Sequence, residues 1–284
     1  MKLPDSRFYD KVWQRARQSS SLHKQTIHPG LWQSFWDQFA PTYLKICRSL
    51  QPAIHKLVAS WKEKGYLDEQ SRVLDIGCGP GTFTLPLAEG AGEVVGLDTS
   101  PGMLSSLQKE ARQKGLANVK PLEKDWGESS FQKEFDLVVA ASSPVISNRE
   151  NLLKMNSASR EWCLFTCPAG SPSRTLRHQL WEEIMGKKME GRSFDISFPF
   201  NILYLEGYFP RLDFETLHYC YFENSERVFQ NYRSYFQIFD KKGPSVDSII
   251  ERCVKSWSHN GYVEERISYK MAVMWWNVNE KVSK

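Results

Sequence analysis

Between residues 72 and 167, short apolar runs alternate with stretches in which apolar residues recur every three or four positions. The runs fall at 72–76, 93–97, 118–122, 135–141 and 160–167, bounded by turn-forming or charged residues, and read as buried strands. Segments 82–90, 101–114 and 148–158, with 174–186 after the fifth run, carry helical spacing. Such alternation predicts an α/β fold with a doubly wound, mostly parallel sheet covered on both faces. Ahead of the first strand, residues 6–18 and 31–66 read as helices. In the second, Leu31, Trp32, Phe35, Trp36, Phe39, Ala40, Tyr43 and Cys47 form one apolar stripe. Pro41 is expected to start a fresh turn there, and residues 52–64 to form the helix that leads into the sheet.

The first strand runs into Asp75-Ile76-Gly77-Cys78-Gly79-Pro80-Gly81-Thr82. Three alternating glycines let the backbone turn sharply and approach a ligand closely, as nucleotide-binding turns do. The spacing is G-x-G-x-G and not G-x-G-x-x-G, so the turn is not shaped for a dinucleotide's pyrophosphate at the helix start. Asp75 places negative charge where phosphates would arrive; an ammonium or a sulfonium suits it better. The second strand ends at Asp98, 21 residues beyond Gly77, near the distance at which such folds set a carboxylate on ribose hydroxyls. After the third come Asp125, able to accept from an adenine amino group, and Trp126, able to cover the ring.

At this point the chain resembles the class I S-adenosylmethionine-dependent methyltransferase family. The resemblance rests on VLDIGCGPGTFTLPLA at 73–88, VVGLDTSPGML at 94–104, KDW at 124–126 and FDLVVAASS at 135–143, in family order and spacing. It implies S-adenosyl-L-methionine as cofactor and a Rossmann-like, seven-stranded sheet with one antiparallel strand, for which 212–222 and 264–276 are the candidate final pair. Position by position it implies that Gly77, Gly79 and Gly81, with Cys78 between them, line the methionine part and that Asp75 sits near its amino group. Asp98 would hold the ribose, Thr99 and Met103 flank the adenine, Asp125 accept its amino hydrogen, and Trp126 stack nearby. Ser142 falls where small groups face the transferred methyl. Trp36 to Tyr43 is similar to an aromatic-acid-x-x-Ala-x-x-Tyr stretch of small-molecule members, which makes Tyr43 a cofactor or acceptor contact. Ser142-Ser143-Pro144-Val145 lacks the amide, second proline and aromatic of amino-group enzymes acting on nucleic-acid bases or protein glutamine.

The 284 residues carry a net charge of +4 with acids and bases interspersed, and no dense Lys/Arg block marks a nucleic-acid arm. No run approaches the roughly 20 apolar residues of a membrane helix, no signal-peptide pattern opens the chain, and six scattered cysteines do not make a disulfide scaffold. A soluble, cytoplasmic protein is expected; oligomeric state is unassigned. Cys163 and Cys167 read as core, and no metal motif occurs. Residues 1–66 read as a helical cap and 67–284 as the catalytic domain, its cofactor half at 70–170 and an acceptor-side insertion at about 190–240. Between 194 and 239, fifteen of 46 residues are Phe or Tyr. Phe194, Phe198, Phe200, Tyr204, Tyr208 and Phe209, with Trp32, Phe35, Trp36 and Tyr43, either form a lid that selects the acceptor or pack the insertion onto the sheet. No catalytic residue is assigned; if a base is needed, His28, His218, Tyr43 and Tyr204 are available. The expected reaction is in-line methyl transfer to a small molecule. An RNA base or protein methyltransferase is the alternative, ahead of a non-catalytic cofactor-binding protein.

Overall fold

An Asp5 carboxylate accepting from the Phe8 N–H opens the first helix, α1 (Ser6–Ser19). The computed structural model describes residues 4–20, 28–170, 175–189 and 195–282. The second helix, α2, runs unbroken over Pro29–Glu63 with Pro41 and Pro52 inside it. The expected fresh turn at Pro41 is therefore absent. Both proline rings lie on the exposed side, while the apolar stripe continues past them into one core, so packing along that stripe outweighs the lost i→i−4 hydrogen bonds.

Five strands then follow: β1 (Arg72–Ile76), β2 (Glu93–Asp98), β3 (Val119–Glu123), β4 (Phe135–Ala141) and β5 (Ser159–Ala169). Helices α3 (Thr84–Ala88), α4 (Pro101–Gln113) and α5 (Arg149–Ala158) connect them. After β5 come α6 (Leu176–Met185), α7 (Ser197–Leu205), β6 (Arg211–Asn224), α8 (Ser225–Gln237), α9 (Pro244–Trp257), β7 (Ser258–His259) and β8 (Tyr262–Asn277). The strand order is β3-β2-β1-β4-β5-β8-β6; β8 runs antiparallel to both neighbours. The expected final pair is thus β6 and β8. A short eighth strand, β7, pairs with the start of β8.

Side chains alternate between two cores. Val73, Val94 and Val139 meet α2, α3, α4, α6, α8 and α9 on one face, while Leu74, Ile76 and Val138 meet α1, α5 and α7 on the other. Pairing of β8 with β5 begins at Lys270, opposite Ala169, so residues 262–269 of β8 and 217–224 of β6 continue beyond the sheet as a two-stranded ribbon. Its inner face buries Leu217, Tyr221, Glu223, Val263, Glu265 and Ile267.

The aromatic-rich segment divides. Phe198 and Phe200 pack into the second core, where Phe198 stacks on Trp13 at 6.2 Å, and Tyr204 and Phe209 are exposed. None of these four joins the α2 aromatics; Phe194 lies outside the described residues.

Candidate functional site

The turn after β1 is anchored by Gly77 and Cys78, whose N–H groups both donate to Leu97 O at 2.7 and 3.0 Å. Gly77, Gly79 and Gly81 all have positive φ, +69°, +54° and +97°. They differ in what their missing side chains make room for. A Cβ on Gly77 would run into Ser143 Oγ, and one on Gly81 would lie 2.6 Å from Leu107 Cδ1. At Gly79 the nearest atom is Tyr43 Cε1, 3.7 Å away. The open cradle of the turn is therefore at Gly79, beneath α2.

Asp98, at the carboxyl end of β2, accepts from Gly79 N–H and Ser100 N–H, each at 2.9 Å. Burial and then the nearby Asp37 carboxylate raise its pKa against those hydrogen bonds. Two backbone donors leave further lone pairs for ribose hydroxyls. Ser100 caps α4 by accepting from Met103 N–H at 3.1 Å, which fixes buried Met103 behind exposed Thr99. Asp125 is exposed past β3. Ser142 holds φ +53° just past β4, its N–H donating to Thr166 O at 2.9 Å. These residues lie at the carboxyl ends of neighbouring strands, the crevice such sheets use for ligands.

Three expected contacts are placed differently. Asp75 is only 2% exposed: strand alternation turns it beneath α3, where it accepts from Thr84 Oγ1 at 2.6 Å, and burial pushes its pKa up to about 7. Cys78 is buried with its Sγ against Gly96, and burial holds its thiol well above the ordinary range, so it is a packing group. Trp126 is 1% exposed; its indole N–H donates to Asn151 O at 3.2 Å and Lys154 Nζ covers the ring at 4.9 Å. That ring ties α5 to the loop and offers no free face to a base.

Helix α2 crosses the crevice and is pinned on both sides. Asp37 Oδ1 accepts from Ser100 Oγ at 2.6 Å and Gly102 N–H at 3.0 Å, while Gln33 Nε2 donates to Thr99 O at 2.8 Å. A Cβ on Gly102 would stand 2.9 Å from Asp37 Cα, so a glycine there is what allows the helix so near. On the far side Glu223 of β6 takes Thr42 Oγ1 at 2.9 Å and Lys45 Nζ at 2.8 Å. Tyr43 sits between, within electrostatic reach of Asp98, Tyr219 and Tyr269, and burial drives its hydroxyl well above the usual tyrosine range. Tyr219 and Tyr269 meet at 6.0 Å on the ribbon's inner face. Of the four candidate bases only Tyr43 faces the crevice: His218 and Tyr204 are exposed, and His28 stands 3.7 Å from Asp240.

The sequence reading missed Asp37, Tyr219, Tyr269 and Glu265 as site residues. For Tyr269 and Glu265 a signal existed: Val263, Glu265, Ile267, Tyr269 and Met271 share one parity of a strand pattern, which puts the acid on a buried face. Among the described residues no cluster of three His, Cys, Asp or Glu could hold a metal, and no helix is long and apolar enough to cross a membrane.

A methyltransferase-domain family profile matches residues 73–161. An uncharacterized protein of Haemophilus influenzae is 31% identical over 219 residues, 73% of this chain and 76% of that one. Aklanonic acid methyltransferase DauC of Streptomyces sp. is 41% identical over 78 residues, 26% of this chain and 36% of its own. The 23S rRNA (uracil(1939)-C(5))-methyltransferase RlmD of Edwardsiella ictaluri is 45% identical over 71 residues, 22% and 16%. In fold, magnesium protoporphyrin IX methyltransferase ChlM of Synechocystis PCC 6803, with bound SAH, superposes at a TM-score of 0.54 and 16% identity over 89% of this chain and 98% of that one. The fold and the glycine turn at the carboxyl end of β1 are those of a ligand-binding α/β enzyme. The chain belongs to the class I S-adenosylmethionine-dependent methyltransferases, with S-adenosyl-L-methionine as its cofactor.

Proposed function

We propose that this methyltransferase acts on a small-molecule acceptor in the cytoplasm, enclosed between α2 and the inner face of the β6–β8 ribbon. What supports this most is the clamping of α2: a helix fixed at Asp37 on one side and at Thr42 and Lys45 on the other carries Tyr43 over the Gly79 cradle. Such a roof suits a ligand that is enclosed, as small-molecule sites are, better than a polymer laid across an open groove. Six free thiols accord with a reducing compartment.

The residues fit the cofactor at two points. Gly79 leaves a cradle that a Cβ would fill, and Asp98 has lone pairs to spare beside it. The bound cofactor supplies an already activated sulfonium methyl group. The chain's task is then positional: Asp98 holds the ribose, Gly79 admits the methionine portion, and Tyr43 with Tyr219 and Tyr269 excludes water and aligns the acceptor. Asp125, Thr99, Met103 and Ser142 complete the wall.

An RNA acceptor is the second reading, favoured by the similarity to RlmD. Incubation with methyl-labelled cofactor and separate metabolite, RNA and protein pools decides between them. Label in the metabolite pool is expected; label confined to RNA or protein overturns the small-molecule reading. An RNA acceptor would also bind with steep salt dependence.

A further inference from the structure

We propose that the acceptor carries a protonated amine, held beneath the β6–β8 ribbon by the Glu265 carboxylate and the Asn231 amide oxygen within a ring of tyrosines. This rests on the small-molecule reading and adds the chemical class of that molecule.

One acceptor atom at this place, Asn231 Oδ1, lacks a donor among the described residues, and beside it a buried carboxylate, Glu265, lacks an ion pair among them. Asn231, on α8 and beside Tyr221, donates through Nδ2 to Thr42 Oγ1 at 3.2 Å, which fixes the amide so that Oδ1 is left buried with no partner among the described residues. Glu265 is 7% exposed; Oε2 accepts from Leu176 N–H at 2.9 Å, and no ion pair to it forms among the described residues. Burial raises this carboxyl above its ordinary range, as happens to a charge without a close counter-ion. Tyr221 stands opposite Glu265 in the strand register and Tyr219 opposite Ile267, while Tyr232 of α8 lies within electrostatic reach of the same carboxyl. An unmet amide oxygen and a buried carboxylate among tyrosine rings complement a group that only donates and is positively charged, because ring faces carry negative potential.

The opposing charge is Arg177, on α6, within electrostatic reach of Glu265, Tyr219 and Tyr232 but outside ion-pair distance. It is half-buried and has no side-chain partner among the described residues. An anionic acceptor would use Arg177 and leave Glu265 and Asn231 unmet; an amine meets both. The register also sets a length. Tyr269 lies where β5 ends, close to Tyr43, and Glu265 is four residues further along β8, about 13 Å away at ~3.3 Å per residue. The amine is therefore a distal anchor on an elongated acceptor, and the methylated atom lies at the Tyr43 end.

The test splits a low-molecular-mass cell extract by cation exchange at pH 7 and supplies each fraction to the enzyme with methyl-labelled cofactor. Label is expected in the retained, cationic fraction. Glu265→Gln keeps an oxygen for Leu176 N–H, so α6 stays docked; it should raise the apparent KM for that fraction about tenfold and leave cofactor affinity unchanged. Arg177→Gln should lower the apparent KM, a sign that a purely structural role would not produce. Label in the unretained fraction, or a KM raised by Arg177→Gln, overturns the amine while sparing the small-molecule reading. Label only in macromolecules overturns both.

Discussion

Replacing Asp98 with Ala tests the cofactor site where its geometry is most defined. In the free enzyme the carboxylate accepts from Gly79 N–H and Ser100 N–H at 2.9 Å, so it is held at the carboxyl end of β2 before any ligand arrives. Two ribose hydroxyls would then donate to lone pairs already aimed, with little ordering left to accomplish. A hydrogen bond to a charged group contributes about 1.5–3 kcal/mol net, so losing two costs roughly 3–4 kcal/mol if each is at the lower part of that range. At about 1.4 kcal/mol per factor of ten, Kd rises roughly 100- to 1,000-fold. Asp98→Asn separates affinity from folding. It removes a charge whose pKa burial has raised, which favours the fold at neutral pH, and forfeits one backbone acceptor, which opposes it. Its Tm should stay within about 4 °C while affinity falls. Titration calorimetry with S-adenosylmethionine reads the affinity and circular dichroism the fold. A Kd for Asp98→Ala within threefold of the parent, in a folded protein, would refute the assignment.

Three further outcomes follow from the same geometry. Asp37→Ala removes an acceptor shared by Ser100 Oγ and Gly102 N–H, so α2 should detach from α4; kcat/KM is expected to drop about tenfold, at roughly 1–1.5 kcal/mol, with faster proteolysis within 29–63. Unchanged proteolysis would argue that the roof does not depend on this clamp. Asp75 has a folded pKa of about 7 against an ordinary 3.8, so the folded state keeps its proton where the unfolded chain has lost it. Its contribution is fully present below about pH 4 and is lost as pH rises to 7, so Asp75→Asn, which keeps an acceptor for Thr84, should gain in Tm over the parent progressively across that window; a pH-independent difference would contradict the burial argument. Trp126→Phe should lower stability through lost packing and the lost indole hydrogen bond to Asn151 O, by about 1–3 kcal/mol, while cofactor affinity stays within twofold; a tenfold loss of affinity would restore a stacking role.

The sheet was legible because buried parallel strands are continuous apolar runs, and each one found at 72–167 is present within two residues of its expected ends. Strands β6 and β8, far from any motif, were placed through the final strand pair that the family resemblance implies. What escaped the reading is tertiary. The unbroken course of α2 depends on a core that lies on one side of both prolines, and no local rule says that such packing wins. The aromatics at 198–209 and those at 219–239 look alike along the chain, yet α7 carries Phe198 and Phe200 to the far face while β6 and α8 carry Tyr219, Tyr221, Tyr235 and Phe236 to the face that packs α2. Trp126 reads as a base-stacking residue from its neighbours Lys124 and Asp125, whereas the Asn151 carbonyl that captures its N–H comes from a helix two elements away.

The placement of charge explains why the site prefers its ligand. Burial first and then the Asp37 carboxylate raise the pKa of Asp98, and burial first and then Asp98 raise that of Asp75, so ionisation of these two strand-end acids is disfavoured. Burial adds to the cost at both strand ends. A cationic ligand at the turn relieves this, for Asp75 beneath α3 only through space, and a phosphate-rich dinucleotide would worsen it. Cofactor binding should therefore release protons from this group near neutral pH. The observed binding enthalpy at pH 7 must then depend on the ionisation enthalpy of the buffer, and the dependence should fade in Asp75→Asn, the variant that removes the acid whose pKa burial pushes up to about 7. Equal enthalpies in phosphate and Tris would show that the acids are already ionised in the free enzyme, and the electrostatic account of cofactor choice would fall with that result.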